Sequence, residues 1–413
     1  MIFRKIRTFE NCEDNLKLYI MIILMHEPTD ELFLGVMHPD AALFSDYFDI
    51  ELAAKEHAAY RAALERFGAK VLTVRQILLE GTLTREGRPI EGKELNELRA
   101  FASRFLTYNT SNIPDEAKAQ ERYKKMIVDR AHPKDLVKMI MLQPEIVLSY
   151  TESNTGFAAT YIQRPIMNIF FMRDQMISTA KGIVIGRMNS EQRQLECEIA
   201  EFCLHKIGFP PIYHIEGEGA YLEGGDFLPF GDYAFIGRGL RTTQAAIDQL
   251  MEHDLLGANK VVVVKDIWGE QEQMHLDTYF NIIDRDLCTL SEARYLAAKG
   301  DPQYLKIDIW ERESPEQPYH KAFSDISFVD FIEDELKMKV IPIQRSDELT
   351  YANNFLNVAP RKIMAVAGQS VELQEAFKAN YVDVTWVPLT NLTKGYGAAH
   401  CMTQILDDGD VLF

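Results

Sequence analysis

The stretch AFIGRGLRTTQAAIDQLMEHDLLGANKVVVV, residues 234–264, contains the alternation of elements that decides the fold class. Its first four residues, Ala234–Gly237, form an apolar run of strand length, and Val261–Val264 form a second one. Between them, Arg241–Met251 carries apolar residues at the spacing of an amphipathic helix. A strand, a helix and a second strand in this order are typical of an α/β protein.

Outward from this stretch, the same alternation recurs from one end of the chain to the other. Helical spacing is repeated in Asp49–Arg66, and further strand-length apolar runs are Val71–Val74, Gly182–Gly186, Lys362–Ala367 and Val382–Pro388. With 413 residues, the chain exceeds the size at which a single apolar core stops growing. We therefore expect one large domain and a smaller inserted or appended one.

The region 76–143 interrupts the alternation, because it shows no convincing strand. Within it, one helical face carries a row of apolar residues: Leu95, Leu98, Phe101, Ala102, Phe105 and Leu106. Pro114, followed by two acidic residues, indicates a helix start. We interpret 76–143 as an inserted helical domain, with 1–75 and 144–413 forming the main domain. The alternative is a run of surface helices within the main domain.

The composition is that of a globular protein with an acidic balance. Hydrophobic residues make up 47% and charged residues 26%, and the formal net charge is −18. An acidic chain is a poor partner for nucleic-acid phosphates or for an anionic membrane surface, so we expect neither partner. The same balance is compatible with a cationic substrate.

Five cysteines are widely spaced and contain no CxxC pair: Cys12, Cys197, Cys203, Cys288 and Cys401. They predict neither a disulfide framework nor a zinc site, and they favour a reducing, cytoplasmic setting. The apolar run Leu16–Met25 is interrupted by Lys17 and is too short to cross a bilayer, so we interpret it as a buried strand. No small-residue cleavage site follows it, so we expect no signal peptide.

Nucleotide-binding fingerprints have no support. GxGxxG is not matched by the glycine cluster at 217, 219, 224 and 225, and GxxxxGK[ST] does not occur. Four other segments carry chemically active side chains: Phe171-Met172-Arg173-Asp174, Leu222-Glu223-Gly224-Gly225-Asp226, Met274-His275-Leu276-Asp277 and Gly395-Tyr396-Gly397-Ala398-Ala399-His400-Cys401.

Each segment alone has an ordinary interpretation beside a functional one. In a strand, His275 and Asp277 would point to one face, as a metal pair or as a solvated imidazole and carboxylate. The glycines between Glu223 and Asp226 allow positive φ or a close backbone approach, or form a plain turn. Cys401 follows a loop with few bulky side chains that can admit a substrate, although a lone cysteine is often a buried apolar residue.

Taken together, the segments supply one thiol, one imidazole and several carboxylates. A cysteine and a histidine provide a nucleophile and a proton carrier. Carboxylates such as those of Asp174 and Asp277 suit a guanidinium, which stays charged and presents a planar fork of donors. Such a bound cation would also stabilise the thiolate of Cys401.

In order and spacing, these segments resemble the arginine deiminase family of the guanidine-modifying enzymes. The shared signature is FxRD, EGGD, MHLD and then GxGxxxCM, and the resemblance covers nearly the whole chain. It implies a five-bladed α/β propeller, the pentein fold, with an inserted helical-bundle domain and the active site in a central channel. It also implies hydrolysis of L-arginine to L-citrulline and ammonia by a homo-oligomer that needs no metal or organic cofactor.

The resemblance also implies roles for individual residues. Cys401 matches the nucleophile that would carry an S-alkylthiouronium intermediate, His275 the general acid and base, and Glu223 the carboxylate that orients it. Asp174 and Asp277 match the pair that holds the guanidinium. Other positions match substrate contacts: Asn168, Arg193 and Arg241 at the α-amino-acid end, with Phe171, Gly395 and Tyr396 beside them.

The segment before the nucleophilic cysteine departs from the family pattern. Bacterial members carry an arginine five residues before that cysteine, where it contacts the substrate carboxylate, and this chain has Tyr396. It also has Ala398 and Ala399 where the family tends to have glycines. Loss of one charge-assisted contact, worth about 1.5–3 kcal/mol, affects recognition of free arginine rather than the reaction type. Three alternatives stay open: a hydrolase for a substituted or acylated arginine, an amidinotransferase, and a non-catalytic arginine-binding protein.

Overall fold

The computed structural model describes residues 21–153 and 155–408, which form a mixed α/β structure. The strands are β1 Ile22–Met25, β2 Lys70–Thr73, β3 Thr107–Asn109, β4 Pro144–Tyr150, β5 Phe157–Gln163, β6 Met176–Thr179, β7 Gly182–Ile185, β8 Tyr213–His214, β9 Phe227–Phe230, β10 Tyr233–Arg238, β11 Lys260–Lys265, β12 Phe280–Asp284, β13 Leu287–Ser291, β14 Lys306–Glu311, β15 His320–Ser327, β16 Lys339–Ile343, β17 Leu356–Ala359, β18 Lys362–Val366, β19 Asp383–Val387 and β20 Gln404–Asp407. The helices are α1 Ile50–Phe67, α2 Val74–Leu79, α3 Lys93–Ser103, α4 Ala117–Arg130, α5 Pro133–Leu142, α6 Gln194–Lys206, α7 Gln244–Glu252, α8 Leu276–Tyr279, α9 Glu292–Leu296, α10 Phe328–Asp330, α11 Arg345–Glu348 and α12 Val371–Ala379.

In five of the six sheets of the described chain, a central strand has one antiparallel neighbour and one parallel neighbour that comes later in the chain. In the sixth sheet, the parallel neighbour β3 precedes its central strand β4. The central strands of the five sheets are β1, β7, β10, β13 and β18; their antiparallel partners are β20, β6, β9, β12 and β17. Their parallel partners are β2, β8, β11, β16 and β19. Strands β14 and β15 extend the sheet around β10 and β11 to five strands. Because β20 pairs with β1, the two ends of the described chain meet in one sheet.

The strand–helix–strand stretch predicted from residues 234–264 is confirmed as β10, α7 and β11. Val261 and Val263 belong to one buried core, and Val262 and Val264 belong to another. Both faces of β11 are therefore covered, which explains its unbroken apolar run. The other predicted strands are confirmed as β2, β7, β18 and β19, and the helix predicted over Asp49–Arg66 is α1.

The predicted buried strand near the start of the chain is confirmed only for Ile22–Met25. The remainder of that run before Met21, and Cys12 with it, lie outside the described residues. Within residues 21–153 and 155–408, we find no helix that combines the length and the apolar character needed to cross a bilayer.

The segment 76–143 holds most of α2, all of α3, α4 and α5, and one short strand, β3. The expectation that it contains no strand was wrong, because a three-residue strand is too short to show alternation. Strand β3 is defined by its parallel pairing with β4, and both join β5 in a sheet of their own. Leu98 of α3, Ile140 of α5 and Ala200 of α6 share one buried core, so this segment packs against the unit around β7.

Candidate active site

The buried polar side chains of the candidate site come from one recurring place in the fold. This place is the turn that precedes the antiparallel partner of each central strand, and we call the five segments before β6, β9, β12, β17 and β20 the site turns. The polar side chains that the site turns carry are each at most 3% exposed. In chain order, the site turns carry Asp174, Glu223, the pair His275 and Asp277, Asn354, and Cys401.

His275 is held by Glu223 through one ring nitrogen. Its Nε2 lies 2.8 Å from Glu223 Oε2, while Glu223 Oε1 accepts the N–H of Asn189 at 3.0 Å. The other ring nitrogen, Nδ1, lies 3.8 Å from Asp174 Oδ1. A Cβ on Gly225 would lie 2.7 Å from Nδ1, so the glycine permits a close backbone approach to the imidazole.

The charges of this pair are set by its surroundings. Burial works against the imidazolium, but the carboxylates of Asp174, Glu223 and Asp226 outweigh it and raise the pKa of His275 to about 9. Burial also opposes ionisation of Glu223, yet the hydrogen bond and charge of His275 hold the pKa of this carboxyl well below its usual range. At neutral pH the pair is an imidazolium on a carboxylate, so Nδ1 carries a proton that it can donate.

Asp174 and Asp277 each use one carboxylate oxygen for a protein contact and leave the other unpartnered. Asp174 Oδ2 accepts from Arg193 Nη1 at 2.9 Å, and Asp277 Oδ2 lies 2.6 Å from His400 Nδ1. The remaining oxygen of each aspartate, Oδ1, is buried without a hydrogen-bond partner. Such orphaned acceptors cost free energy, and a cation with several N–H groups would satisfy both of them.

Cys401 places its sulfur next to these carboxylates. Its Sγ lies 3.6 Å from Asp277 Oδ2 and 3.1 Å from Asn354 Nδ2. Burial, together with the negative charges of Asp277 and Asp174, raises the pKa of the Cys401 thiol well above its usual range. A cation bound between the two aspartates would offset these charges and favour the thiolate.

The strand that would carry His275 and Asp277 on one face is not formed. His275 directly precedes α8, and Asp277 lies within that single helical turn. Hydrogen bonds fix the turn, because Asp226 Oδ1 accepts the N–H of Leu276 at 2.9 Å and Thr278 Oγ1 donates to the His275 carbonyl at 2.6 Å. Four residues of sequence do not distinguish a strand from one turn of helix.

Two residues predicted for the α-amino-acid end already bind protein groups. Arg193 donates to Glu196 Oε2 and Asp174 Oδ2, each at 2.9 Å, and to the Asn168 carbonyl at 3.4 Å. Asn168 Nδ2 donates to the Ala42 carbonyl at 3.2 Å. Both side chains are buried, and Arg193 helps to hold Asp174 in position.

The other predicted substrate contacts are Arg241, Phe171, Gly395 and Tyr396. Arg241 donates from Nη2 to Gln271 Oε1 at 3.2 Å, and its buried Nε has no partner. Phe171 packs against Gly395, where an added Cβ would lie 2.8 Å from the ring. Tyr396 is half-buried, and its φ of 66° places it in the left-handed region.

Three further side chains reach the Cys401 turn, and the sequence assigned none of them a role. Arg173 donates its backbone N–H to the Cys401 carbonyl at 2.9 Å and its Nε to the His400 carbonyl at 3.3 Å. Burial and the charge of Arg173 lower the pKa of His400 to about 4, so this imidazole is neutral when it binds Asp277. His400 adjoins the cysteine in sequence, a signal that could have identified it, whereas Asn354 belongs to no local motif.

The site also contains a group with the spacing of metal ligands. Asp174, Glu223 and His275 each offer one ligand atom within 4.8 Å of the others. The Nε2 of His275 binds Glu223, so Nδ1 is the ring nitrogen that faces Asp174. An organic cation with several N–H groups would also satisfy the unpartnered Oδ1 of Asp277, which lies outside this group, so the whole site favours an organic cation.

Comparison with known proteins places this arrangement in a family. The family model described as arginine deiminase matches residues 40–407. The chain belongs to the arginine deiminase family. Among its relatives, the arginine deiminase of Halobacterium salinarum is 24% identical, over 94% of this chain and 94% of the relative. The arginine deiminase of Mycoplasma capricolum is 26% identical, over 93% of this chain and 94% of the relative.

Solved structures show the same fold in other guanidine-processing proteins. The N-terminal domain of ArgZ, an arginine dihydrolase from cyanobacteria, aligns with a TM-score of 0.55 at 16% identity, covering 94% of this chain and 97% of that domain. A dimethylarginine dimethylaminohydrolase aligns with a TM-score of 0.52 at 15% identity, covering 93% of this chain and 99% of that one. These likenesses concern the fold alone.

Proposed function

We propose that the protein hydrolyses the guanidinium group of L-arginine, giving L-citrulline and ammonia. The observation that carries this proposal is the pair of buried, unpartnered oxygens, Asp174 Oδ1 and Asp277 Oδ1, beside the thiol of Cys401. A guanidinium is planar and presents donors along more than one edge, so it can satisfy both acceptors. Family membership supports arginine as the molecule that supplies it, since the relatives are named arginine deiminases.

In the first step, the thiolate of Cys401 attacks the guanidinium carbon and forms a carbon–sulfur bond. Binding of the cation between Asp174 and Asp277 favours the ionised sulfur, whose proton leaves to solvent. His275 gives its Nδ1 proton to one nitrogen, the carbon–nitrogen bond breaks, and ammonia departs. An S-alkylthiouronium remains on Cys401.

In the second step, water attacks the same carbon and gives a proton to His275 Nδ1. The carbon–sulfur bond then breaks, its electrons return to the thiolate of Cys401, and the remaining proton of the added hydroxyl passes to solvent, which leaves the ureido group of citrulline. Glu223 stays ionised and keeps the Nε2 proton of His275 in place, so Nδ1 is the nitrogen that donates and accepts the proton in both steps. One water is consumed for each ammonia released.

Ammonia release from arginine by the wild-type protein and by Cys401→Ala tests the proposal. The wild type should produce citrulline and ammonia in equal amounts, and the variant should produce neither above background while keeping the same melting temperature within a few degrees. Turnover by the alanine variant would contradict covalent catalysis, and an inert wild-type protein would contradict arginine as the substrate.

A guanidine without a free carboxylate is the second candidate substrate, and the surroundings of Tyr396 favour it. Burial, together with the negative charges of Asp40 and Glu272, raises the pKa of the Tyr396 phenol. Acidic groups here would repel a carboxylate. A panel of arginine, agmatine, methylarginines and N-acylated arginine distinguishes the candidates. Turnover of agmatine with arginine inert would support a guanidine without a carboxylate, whereas turnover of a methylarginine or of N-acylated arginine, which keep the carboxylate, would support a substituted or acylated arginine.

We further propose that the five repeated sheets are the blades of a five-bladed propeller around this site, with 76–143 as an inserted helical domain. The shared pairing pattern and the common position of the site turns support this arrangement. A homo-oligomeric state and a cytoplasmic location stay predictions of the sequence. An experimental structure, light scattering and cell fractionation test the three points in turn.

A further inference from the structure

We propose that Asn354 is a further catalytic residue, whose side-chain amide stabilises the ionised sulfur of Cys401 and holds the turn that carries it. The inference rests on the proposed function, in which Cys401 is the nucleophile. Asn354 is fully buried and lies in the site turn before β17. The other site turns carry Asp174, Glu223, the pair in MHLD, and the cysteine itself.

The contacts of Asn354 converge on the cysteine turn. Its Oδ1 accepts the N–H groups of Ala398 at 2.9 Å and Cys401 at 3.1 Å. Its backbone carbonyl accepts the N–H of His400 at 3.1 Å. Its Nδ2 donates to Cys401 Sγ at 3.1 Å and to the Asp277 carbonyl at 3.3 Å. One residue therefore fixes the backbone from Ala398 to Cys401 and touches the sulfur as well.

The orientation of this amide follows from its partners. Two N–H donors meet Oδ1, and a reversed amide would place its NH2 group against both of them. The NH2 group accordingly faces the sulfur of Cys401 and the carbonyl of Asp277. The sulfur therefore meets a donor, which interacts more favourably with a thiolate than with a neutral thiol.

The charges around the sulfur show why a neutral donor is needed there. Asp277, Asp174, the guanidinium of Arg173 and the phenol of Tyr351 all interact electrostatically with Cys401. Burial and the two carboxylates oppose the thiolate. The cationic substrate offsets them in the first step, but citrulline is neutral, so the departing thiolate of the second step has lost that cation. The Asn354 amide stays in place throughout both steps.

Two substitutions test the amide. Asn354→Asp keeps an oxygen for the two N–H groups and replaces the NH2 group by an acceptor. Asn354→Ser removes the amide donor and the amide acceptor together without adding charge, and leaves a shorter hydroxyl. We expect the pKa of the Cys401 thiol, measured as the pH dependence of iodoacetamide labelling of its peptide by mass spectrometry, to rise by one unit or more in Asn354→Asp. Labelling at pH 8 should then fall about tenfold, with a smaller change in the same direction in Asn354→Ser.

The matched control is Asn357→Asp in β17. Asn357 is also buried, and its amide donates to the carbonyls of Ile282 and Ile283 at 3.1 and 2.8 Å rather than to the sulfur. This variant should lose thermal stability without a change in the labelling profile of Cys401. For the Asn354 variants, kcat for ammonia release should fall more than KM rises.

The outcomes decide between a chemical and a structural role for Asn354. An unchanged labelling profile in a folded Asn354 variant would overturn the proposal, and so would failure of both variants to fold while Asn357→Asp folds. Labelling needs no substrate, so the test is independent of the proposed activity. A shifted labelling profile in a protein that never releases ammonia would contradict the proposed function. It would still support the stabilisation of the Cys401 thiolate by Asn354.

Discussion

The two ends of the candidate site are built in opposite ways. At the guanidinium end, Asp174 and Asp277 each keep a buried oxygen without a partner. Arg193, which the sequence predicts for the α-amino-acid end, is already paired, since it donates to Glu196 and Asp174. The two aspartates thus keep oxygens for a further cation, whereas the charge of Arg193 is balanced within the protein.

This difference between the two ends indicates which residues determine the reaction and which determine the choice of substrate. Carboxylate oxygens without hydrogen-bond partners beside a thiol favour binding of a cation with N–H groups in a defined geometry, so they select the guanidinium as the reacting group. Because Arg193 is paired with carboxylates, it contributes little net charge to binding. We therefore expect selection among guanidines to depend on Arg241, whose Nη2 donates to the neutral amide of Gln271, and on Tyr396.

The largest effect is expected at the guanidinium end. Asp277→Asn removes the charge that we propose holds the guanidinium and leaves one amide oxygen in place of two carboxylate oxygens, so kcat/KM for ammonia release should fall by about a thousandfold. Asp308→Asn is the control, because Asp308 is also buried and binds Lys265 and Lys321 outside the site. An Asp277→Asn variant with a tenth or more of wild-type activity would contradict the assignment of the largest effect to the guanidinium end.

The pH dependence sharpens the account of the same end. The pKa of His275 is raised to about 9, so kcat/KM should decline above that pH as the imidazolium loses its proton. The pKa of His275 in the folded protein exceeds the ordinary value of about 6.5. The stability that the imidazolium contributes is therefore fully present below about pH 6.5 and is lost as the pH rises through about 9. Glu223→Gln should move the alkaline limb of the activity profile downward by a unit or more. A limb that stays in place would show that Glu223 does not set the charge of His275.

The smallest effect is expected at the α-amino-acid end. Tyr396→Phe removes one hydroxyl at a half-buried position, so KM for arginine should change only a few-fold and kcat should stay the same. Tyr396→Arg adds a cation beside Asp40 and Glu272 and should improve KM for arginine relative to agmatine. A large fall in kcat for Tyr396→Phe would place this residue with the chemistry instead.

The sequence predicted this molecule well wherever its information is local. The apolar periodicity of residues 234–264 predicted the strand–helix–strand unit. The family motifs predicted that Cys401, His275 and Asp174 share one site, and the structure brings them together. What it missed depends on contacts between distant segments. The pairing of Arg193 with Asp174, the amide of Asn354 on the sulfur, and the helical turn at Asp277 leave no periodic trace. The short strand Thr107–Asn109 is likewise defined by its neighbour in the sheet.

The central claim is that the sulfur of Cys401 bonds to the guanidinium carbon during turnover. Acid quenching of the wild-type protein with arginine labelled by carbon-13 at that carbon, followed by mass spectrometry of its peptides, tests it most directly. The account predicts a labelled adduct of arginine less one ammonia on the Cys401 peptide, which disappears as substrate is consumed. Steady citrulline production with that peptide unmodified at every time point, or with the label on Cys197 instead, would contradict it.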